Sequence, residues 1–445
     1  MTAAVTGRAV PARELIAALT PAFTELPRAA EAAAADGPIG WPGYGEARAR
    51  ARARTGEPES VVCGIGDVGG TEAVLIAFEF GFLGGSIGEE TGARIENAFI
   101  TARDLSLPVV SLIASGGSRI QEGMCALTQL QRIARQMVRL RAAGLPHLAV
   151  LAGPVTGGGW ATLGAGADVR VALPGAQIGF AGSRTRPPGA DADAYTAEAQ
   201  FAAGHVDQIV PAAGLGTVAA RWLRLLTTPA AGPVTPPRAL RAVPPPDSGW
   251  QAVRRAREAD RPGAEAYLGA YFAERAPLGG TDPGLLCGFG MRDGRSVAYV
   301  AQCGAATRPA GFRAASRLVT LADRLSVPVL SLVDTPGAAN DAEAERDGVG
   351  AAIAETITAV AGCRIPVTTL LVGEGGSGGA VALTSPGHTW VTPDSYYSVV
   401  APERAVAILK RGPDDVPTTA EQLRLRPQDL VDLGIARGIV PAEPA

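Results

Sequence analysis

The sequence of 445 residues has few of the side chains that enzymes commonly use for acid–base chemistry or metal binding. It contains three histidines and five cysteines, and Lys410 is its only lysine. The cysteines are odd in number and form no C-x-x-C pair, which excludes the usual zinc spacings and a disulfide framework. A net charge of −3 excludes the strongly basic surface typical of nucleic-acid binding.

Long hydrophobic runs are lacking as well. The first residues do not have the pattern of a signal peptide. The longest uncharged run, residues 142–167, is interrupted by Pro146, Pro154 and three consecutive glycines, so it does not predict a membrane-spanning helix. We therefore expect a soluble, cytoplasmic protein.

The sequence does contain an internal repeat. LSLPVVSLIASGG around residue 108 matches RLSVPVLSLVDTPG around residue 328, and LAGPVTGGGWA matches LVGEGGSGGAV further on. The matched residues are always 220 positions apart: Pro108 and Pro328, Gly117 and Gly337, Gly153 and Gly373, Gly158 and Gly378, Gly159 and Gly379. A constant offset over about fifty positions indicates two copies of one domain.

The repeat predicts four regions. Residues 1–54 form a helical segment rich in Ala and Arg, in which the RARARAR stretch is either a solvated helix or a basic patch on a substrate channel. Residues 55–227 form the first domain, the proline-rich residues 228–248 form a semi-extended linker, and residues 249–445 form the second domain.

Each domain repeats one pattern, in which a short apolar strand is followed by a Gly-rich turn and a helix of small residues. The predicted strands are Ala73–Phe80, Pro108–Ile113, Leu148–Leu151, Ser296–Ala301, Pro328–Val333 and Val367–Val372. The predicted helices are Ile95–Arg103, Glu122–Arg141, Gly158–Gly166, Phe312–Leu325, Gly348–Ala361 and Gly378–Leu383. This alternation predicts an α/β fold with largely parallel strands.

The Gly-rich turns at 114–117 and 373–380 place several backbone N–H groups where they can bind an anion or a developing negative charge. Three interpretations are open: a phosphate cradle, an oxyanion hole, or close helix–strand packing with no ligand. The phosphate cradle is disfavoured because Gly379 is followed by Ala380 rather than Lys, and because no dinucleotide fingerprint fits.

Side-chain catalysis has one candidate. Residues 375–379 satisfy G-x-S-x-G with Ser377 as the nucleophile, but none of His147, His205 and His388 lies in a motif. A site poor in titratable groups and rich in backbone donors favours stabilisation of an enolate or ureido oxyanion. The group that takes up or gives the proton in such a site then belongs to a cofactor.

Several motifs resemble those of the bacterial acetyl-CoA carboxylase carboxyltransferase. The beta-subunit motifs are GFLGGSIG at 81–88, SGGSRIQEG at 115–123, TGG at 156–158 and GFAG at 179–182. The alpha-subunit motifs are GFRA at 311–314, DTPGA at 334–338, GEGGSGGA at 373–380, YSVV at 397–400 followed by Pro402–Glu403, and DLVDLGI at 429–435. The likeness covers residues 41–440, so the chain resembles both subunits fused, with the beta type first.

This resemblance implies two tandem crotonase-like ββα-spiral domains and carboxyl transfer from carboxybiotin to a short acyl-CoA, giving malonyl-CoA if the acceptor is acetyl-CoA. It implies that Gly116 and Gly117 hold the thioester enolate, and that Gly378 and Gly379 hold the ureido oxygen of biotin. It also gives a set of substrate-binding residues: Gly157, Gly158, Arg119 and Trp160. In the family the cleft lies between opposite protomers, which implies a homodimer.

The resemblance also implies partners. Biotin is attached to a lysine within Met-Lys-Met, whereas Lys410 lies between Leu409 and Arg411, so the biotin carboxyl carrier protein and biotin carboxylase are expected as separate chains. No zinc is expected, because the cysteines of the family's zinc ribbon are missing before Cys63.

The sequence departs from the family where Ala339-Asn340-Asp341 follows DTPGA in place of Tyr-Pro-Gly, which leaves acceptor and partner recognition open. Trp160 either restricts the acceptor to a short acyl group or belongs to the core. Two other functions stay open on the same scaffold: a biotin-independent malonyl-thioester decarboxylase, and a non-catalytic protein that binds acyl-CoA or the carrier.

Overall fold

The predicted alternation of strands and helices is present in both halves of the chain. The computed structural model describes residues 10–27 and 35–443, and it divides after Thr227 into two units. Both units are α/β, as predicted. The finer boundaries at residues 54 and 248 stay predictions, and residues 1–9 and 28–34 of the predicted helical segment lie outside the described residues.

The first unit is built on one mixed sheet. Its strands are β1 Phe23–Glu25, β2 Val61–Asp67, β3 Glu72–Phe78, β4 Val109–Ser115, β5 His147–Thr156, β6 Val169–Ala172, β7 Ile178–Gly179 and β8 Gln208–Ile209. Its helices are α1 Ala12–Leu19, α2 Tyr44–Thr55, α3 Glu89–Asp104, α4 Gly123–Ala142, α5 Gly157–Gly159, α6 Ala197–Ala202 and α7 Leu215–Thr227. The order across the sheet is β1-β2-β3-β4-β5-β6-β8, and β7 also pairs with β5. The pairs from β3 onward are parallel, as predicted.

Apolar side chains cover both faces of the sheet at its central strands. Ile76 of β3, Phe99 of α3 and Ile133 of α4 belong to one core. Strand β4 is buried along its whole length, as expected for a parallel strand that is covered on both faces. This packing brings the ends of β4 and β5 to the same edge of the sheet.

The RARARAR stretch is helical and is attached to the first unit. It lies in α2, where Arg48 is buried and its Nη2 lies 2.8 Å from a carboxylate oxygen of Glu90. Arg52 donates to the Pro58 carbonyl at 3.0 Å, whereas Arg50 is exposed and lies 3.4 Å from Glu46. The stretch is therefore neither a wholly solvated helix nor a free basic patch.

The second unit repeats the architecture. Its strands are β9 Glu274–Pro277, β10 Leu285–Arg292, β11 Arg295–Gln302, β12 Val329–Thr335, β13 Val367–Gly376, β14 Thr389–Val391 and β15 Tyr396–Ser398. Its helices are α8 Gly249–Ala256, α9 Ala264–Tyr271, α10 Pro309–Arg324, α11 Ala342–Arg346, α12 Val349–Gly362, α13 Ser377–Val381, α14 Pro402–Ile408, α15 Val416–Gln422 and α16 Pro427–Asp432. The order is β14-β13-β12-β11-β10-β9, and β15 also pairs with β13.

The proline-rich residues 228–248 contain no regular helix or strand. They nevertheless pack on the second unit, because Ala239 is buried in its core and Ser296 N–H donates to Thr228 O at 2.7 Å. No helix within residues 10–27 and 35–443 is long and apolar enough to cross a membrane.

Candidate active site

A tight turn follows β4 in the first unit. Strand β4 ends at Ser115, and Gly117 takes a φ of +100°, which favours glycine. Ile87 N–H donates to Gly117 O at 2.8 Å, and Arg119 N–H donates to Ile87 O at 2.9 Å. A Cβ at Gly117 would lie 3.4 Å from the Gly157 Cα atom. The turn after β4 therefore lies directly against the turn after β5.

Both donors that were predicted for this turn have acceptors inside the protein. Gly116 N–H donates to Gly84 O at 2.9 Å, and Gly117 N–H donates to Ser115 Oγ at a longer distance of 3.2 Å. The prediction that Gly116 supplies a free oxyanion donor is wrong, because its amide holds the preceding loop in place. Gly117 shapes the turn, and its amide is only weakly engaged.

The turn after β5 contains two amides without an acceptor. Gly157 N–H donates to Phe180 O at 2.9 Å. Gly158 and Gly159 follow it in α5, where the first N–H groups have no acceptor within the helix. No other acceptor for these two amides is found among the residues that the structure describes. Among the described residues, the amides of Gly158 and Gly159 have no acceptor, whereas those of Gly116 and Gly117 do.

The second unit repeats this arrangement 220 positions later. Thr307 N–H donates to Gly337 O at 3.1 Å, and Ala339 N–H donates to Thr307 O at 2.9 Å. Gly337 has a φ of +133°. The position of Gly116 is occupied by Pro336, which has no N–H group. A donor at this position is therefore not common to the two units.

Gly378 and Gly379 lie in the first turn of a helix that directly follows β13. They are the second and third residues of α13, so their N–H groups have no intrahelical acceptor, and the described part of the chain offers no other. Gly378 is exposed and Gly379 is buried. A Cβ at Gly379 would lie 2.3 Å from Ala338 N, so this turn also packs closely against the one that precedes it.

Ser377 stands where the first unit has Gly157. Its φ of +54° is unusual for a residue other than glycine. It does follow a strand and begin a helix, as the hydrolase alternative requires. However, no hydrogen bond joins Ser377 to a histidine among the described residues, and the His388 ring instead packs edge-on against Trp390, with ring centres 5.2 Å apart. The geometry gives the hydrolase interpretation no support.

Arg119 does not face the turn. Its guanidinium is buried and forms an ion pair with Glu59, which is buried as well. It also donates to Tyr44 Oη at 3.0 Å and to Ser86 O at 2.7 Å. The N–H groups of Arg119 are directed at other groups of the protein, so Arg119 supports the loop. The ligand contact that was predicted for Arg119 is not supported by this geometry.

The electrostatics of this cluster follow from its burial. Burial alone would raise the pKa of Glu59, but the charge of Arg119 and the hydrogen bonds from it and from Ser60 N–H hold that pKa below its ordinary value. Burial is also the main reason why the pKa of Tyr44 lies above its ordinary value. Glu59 is therefore ionised and Tyr44 carries its proton at neutral pH.

Sequence reasoning did not identify Glu59 or Tyr44 as members of the site region. Neither lies in a motif, and both are brought to Arg119 only by the folded chain. Arg119 and Glu122 do lie in SGGSRIQEG, three residues apart, and the Gly84 and Ser86 that contact this loop lie in GFLGGSIG. The two motifs could have been paired, because residues from both contact the same turn.

Trp160 lies beside a cavity of the first unit. The cavity has a volume of about 480 Å³ and is lined by aromatic, polar and small residues: Trp160, Ala165, Arg170, Gly179, Phe180, Ala194, Tyr195, Gln200 and His205. Phe180 supplies the carbonyl that fixes Gly157, and Trp160 follows Gly159 directly. The cavity therefore shares two residues with the surroundings of the Gly158 amide.

The sequence departure in the second unit forms an ordinary helix start. Asp341 accepts the N–H groups of Glu343 and Ala344 at the start of α11 and pairs with Arg308 at 3.0 Å. Ala339 is buried. Within the residues that the structure describes, no group of three or more His, Cys, Asp or Glu side chains could hold a metal ion.

Known proteins resemble this chain over most of its length. A family model described as acetyl co-enzyme A carboxylase carboxyltransferase-like matches residues 247–445, and one described as a carboxyl transferase domain matches residues 43–209. The acetyl-coenzyme A carboxylase carboxyl transferase subunits beta/alpha of Saccharopolyspora erythraea is 38% identical over 426 residues, which is 90% of this chain and 75% of the relative. The "Probable biotin-dependent acyl-coenzyme A carboxylase beta3 subunit" of Mycobacterium tuberculosis is 33% identical over 423 residues, 90% of this chain and 83% of the relative.

The fold has solved counterparts. The transcarboxylase 12S hexamer, crystallised with hydrolysed methylmalonyl-coenzyme A, superposes with a TM-score of 0.79 and 21% identity, covering 97% of this chain and 86% of that one. This likeness confirms the predicted crotonase-like fold. The chain belongs to the acetyl-CoA carboxylase carboxyltransferase family, as its motifs predicted. It is accordingly a carboxyltransferase.

Proposed function

We propose that this protein transfers the carboxyl group of carboxybiotin to a short acyl-CoA, with acetyl-CoA as the preferred acceptor. The biotin is presented by a carrier protein on a separate chain, which biotin carboxylase loads. The observation that supports this proposal is the pair of free glycine amides at the same place in each of the two related units, Gly158 with Gly159 and Gly378 with Gly379.

The first-unit amides suit a thioester. We assign Gly158 and Gly159 to the thioester oxygen, which gains negative charge as the acyl group becomes an enolate. Backbone N–H groups aimed at such an oxygen stabilise the charge without a rearrangement of water, and the loss of one donor typically costs about 3 kcal/mol of barrier. The adjacent cavity beside Trp160 offers space for a short acyl group.

The second-unit amides fit the ureido oxygen of biotin. This oxygen is a hydrogen-bond acceptor, and Gly378 and Gly379 offer two N–H donors that have no acceptor among the described residues. Gly378 and Ser377 are exposed, so a tethered group can reach them. Carboxybiotin supplies the carboxyl group in this reaction, while the amides hold and orient its ureido oxygen.

A minimal reverse assay tests the proposal. The purified protein is mixed with biocytin and malonyl-CoA or methylmalonyl-CoA, and acyl-CoA formation is followed. We expect transfer that depends on biocytin. Carbon dioxide release without biocytin would instead indicate the decarboxylase, and thioester binding with no turnover in either assay would indicate the non-catalytic protein.

Two proline substitutions test the donors. Gly378→Pro deletes an amide that we assign to biotin and is expected to reduce turnover by about a hundredfold or more. Gly350→Pro is the matched control, because Gly350 is likewise the second residue of a helix, α12, and no atom of the described residues lies within 4 Å of a Cβ added there. It should leave turnover within about threefold of wild type. Equal losses in both variants would contradict the assignment.

A further inference from the structure

A buried polar cluster supports the first-unit turn. We call it the Arg119 cluster, and it consists of Tyr44, Glu59, Ser60, Ser86, Thr91, Arg119 and Glu122. The Arg119 side chain is completely buried and its charge is matched by the buried carboxylate of Glu59. Breaking such a pair is costly, whereas replacing it with apolar groups is often neutral for stability. Stability alone therefore does not explain an ion pair at this position.

The cluster is connected to the turn by short hydrogen bonds. Arg119 Nη2 donates to Ser86 O at 2.7 Å, and Arg119 Nε contacts Ser86 Oγ at 3.2 Å. The next residue, Ile87, donates its N–H to Gly117 O at 2.8 Å. A Cβ at Gly117 would in turn lie 3.5 Å from Gly158 N. The guanidinium thus holds the Ser86–Ile87 segment, which bonds to the Gly117 turn beside the Gly158 amide.

Glu122 extends this support to two helices. Its carboxylate accepts the Tyr44 hydroxyl of α2 and the Glu89 N–H at the start of α3. Arg119 Nη1 reaches both the Tyr44 oxygen, at 3.0 Å, and the Glu122 carboxylate, at 3.4 Å. The loop that carries Arg119 is consequently tied to elements on more than one side, which limits its movement.

The second unit provides a comparison within the same chain. There the backbone bonds of Thr307 with Gly337 and Ala339 are retained. The four cluster positions that follow the offset of 220 hold only small residues, namely Ala306, Gly311, Ala339 and Ala342. The turn of the second unit therefore forms without a guanidinium at position 339. A different buried pair, Arg261 with Asp334 at 2.7 Å, lies at the end of β12.

We propose that Arg119 is a positioning residue for the reaction. It acts through Ser86, Ile87 and Gly117 and sets the place of the Gly158 amide relative to the thioester oxygen. This inference rests on the proposed function of Gly158. A displacement of about 1 Å can cost a hundredfold in rate when donors must meet a transition state, so movement of this loop would be costly for the reaction.

Kinetics of matched variants test the inference. Arg119→Lys keeps the charge but loses the planar fork, and Tyr44→Phe removes one hydroxyl with little change in shape. The control is Asp168→Asn, whose buried carboxylate accepts His147 N–H at 2.8 Å at the opposite end of β5. We expect kcat of the reverse reaction to fall at least about tenfold in Arg119→Lys, and less in Tyr44→Phe, with KM for malonyl-CoA within about twofold.

Asp168→Asn should retain kcat within about twofold even where its melting temperature falls as much as that of the cluster variants. If kcat follows melting temperature across all three variants, Arg119 is purely structural and the inference is wrong.

Hydrogen exchange separates this inference from the proposed function. In Arg119→Lys, the amides of residues 84–88 and 115–119 should exchange faster than in wild type, while those of residues 304–308 and 335–339 should not change. Unchanged exchange in the first-unit segments would overturn the inference. A wild-type protein with no transfer activity would instead overturn the proposed function, and the exchange result would still decide whether Arg119 holds the turn.

Discussion

The two free amides of α13 differ in the space beside their Cα atoms, which allows a paired test of the second-unit turn. A Cβ at Gly379 would lie 2.3 Å from Ala338 N and 2.7 Å from Gly337 C, both backbone atoms. At Gly378, no atom of the described residues lies within 4 Å of the added Cβ. Gly379→Ala and Gly378→Ala add the same methyl group and keep both N–H donors, so they separate crowding of the turn from the loss of a donor.

The expected effects differ in kind. An ordinary contact of about 3.4 Å requires the Gly337–Ala338 backbone to move by about 1 Å in Gly379→Ala, and such overpacking typically costs about 1–3 kcal/mol of unfolding free energy. The same displacement moves the amide and is expected to reduce kcat by about a hundredfold. Gly378→Ala has no such cost, and the helix preference of alanine over glycine favours it by up to about 1 kcal/mol.

The assay combines urea unfolding with the biocytin reverse reaction. In Gly378→Ala the unfolding free energy should be unchanged or higher, and KM for biocytin should rise because the methyl group enters the space from which the ureido oxygen approaches. In Gly379→Ala both the unfolding free energy and kcat should fall. A destabilised Gly378→Ala, or a Gly379→Ala with wild-type stability and turnover, would refute the packing described for this turn.

Three further predictions concern the first unit. Glu59 has a pKa below its ordinary value of 4.5, so its ionised form stabilises the fold above that pH and the contribution is lost as the pH falls through the lower, folded value. Glu59→Gln should therefore be less stable than wild type at pH 7, with a difference in melting temperature that shrinks on acidification; a constant difference would contradict this. Gly117→Ala should lose about 1–3 kcal/mol in urea unfolding because its φ of +100° disfavours a side chain, whereas Gly116→Ala, which has no positive φ, should lose less. Trp160→Ala enlarges the cavity and should raise kcat/KM for methylmalonyl-CoA relative to malonyl-CoA by about tenfold, and an unchanged ratio would assign Trp160 to the core.

Much of the fold could be predicted because the core strands are apolar and the repeat keeps its offset. The strands predicted at Pro108–Ile113 and Pro328–Val333 are present as Val109–Ser115 and Val329–Thr335. Most errors of the strand predictions lie at the ends of the strands. Strand β5 continues through Pro154 to Thr156, although proline is unfavourable inside a sheet, because the last paired residues bond to β7 and not to β4 alone.

The helix predicted at Gly158–Gly166 shows how glycine limits such predictions. The chain is α-helical only over Gly157–Gly159 and then widens into a π-helical turn at Trp160–Gly164. Three consecutive glycines supply no side-chain contacts that would enforce regular helix geometry. Turns of π-helix are also common at functional sites. Periodicity alone cannot distinguish these two forms.

The free donors could not be chosen from the sequence for a different reason. SGG and TGGG are both glycine runs that follow buried strands, and nothing local distinguishes their amides. The distinction comes from Gly84, whose carbonyl engages Gly116, and from Phe180, whose carbonyl engages Gly157. Both acceptors lie on loops remote in sequence, so the available N–H groups are defined only when these loops pack on the turns.

Because the domain is duplicated, the two units can be compared position by position. We attribute features that both units keep to the chemistry that their two ligands share. We attribute a feature found in only one unit to the ligand of that unit. The turn bonds of Ile87 and Thr307 are shared. The amides of Gly158 and Gly378, which find no acceptor among the described residues, also occupy equivalent positions, and these are the amides to which we assign an anionic oxygen. The amide at position 116 and the guanidinium at position 119 are absent from the second unit. Gly116 therefore has no general role as a donor, and Arg119 serves the first unit's substrate, whose oxygen gains charge only as the acyl group reacts.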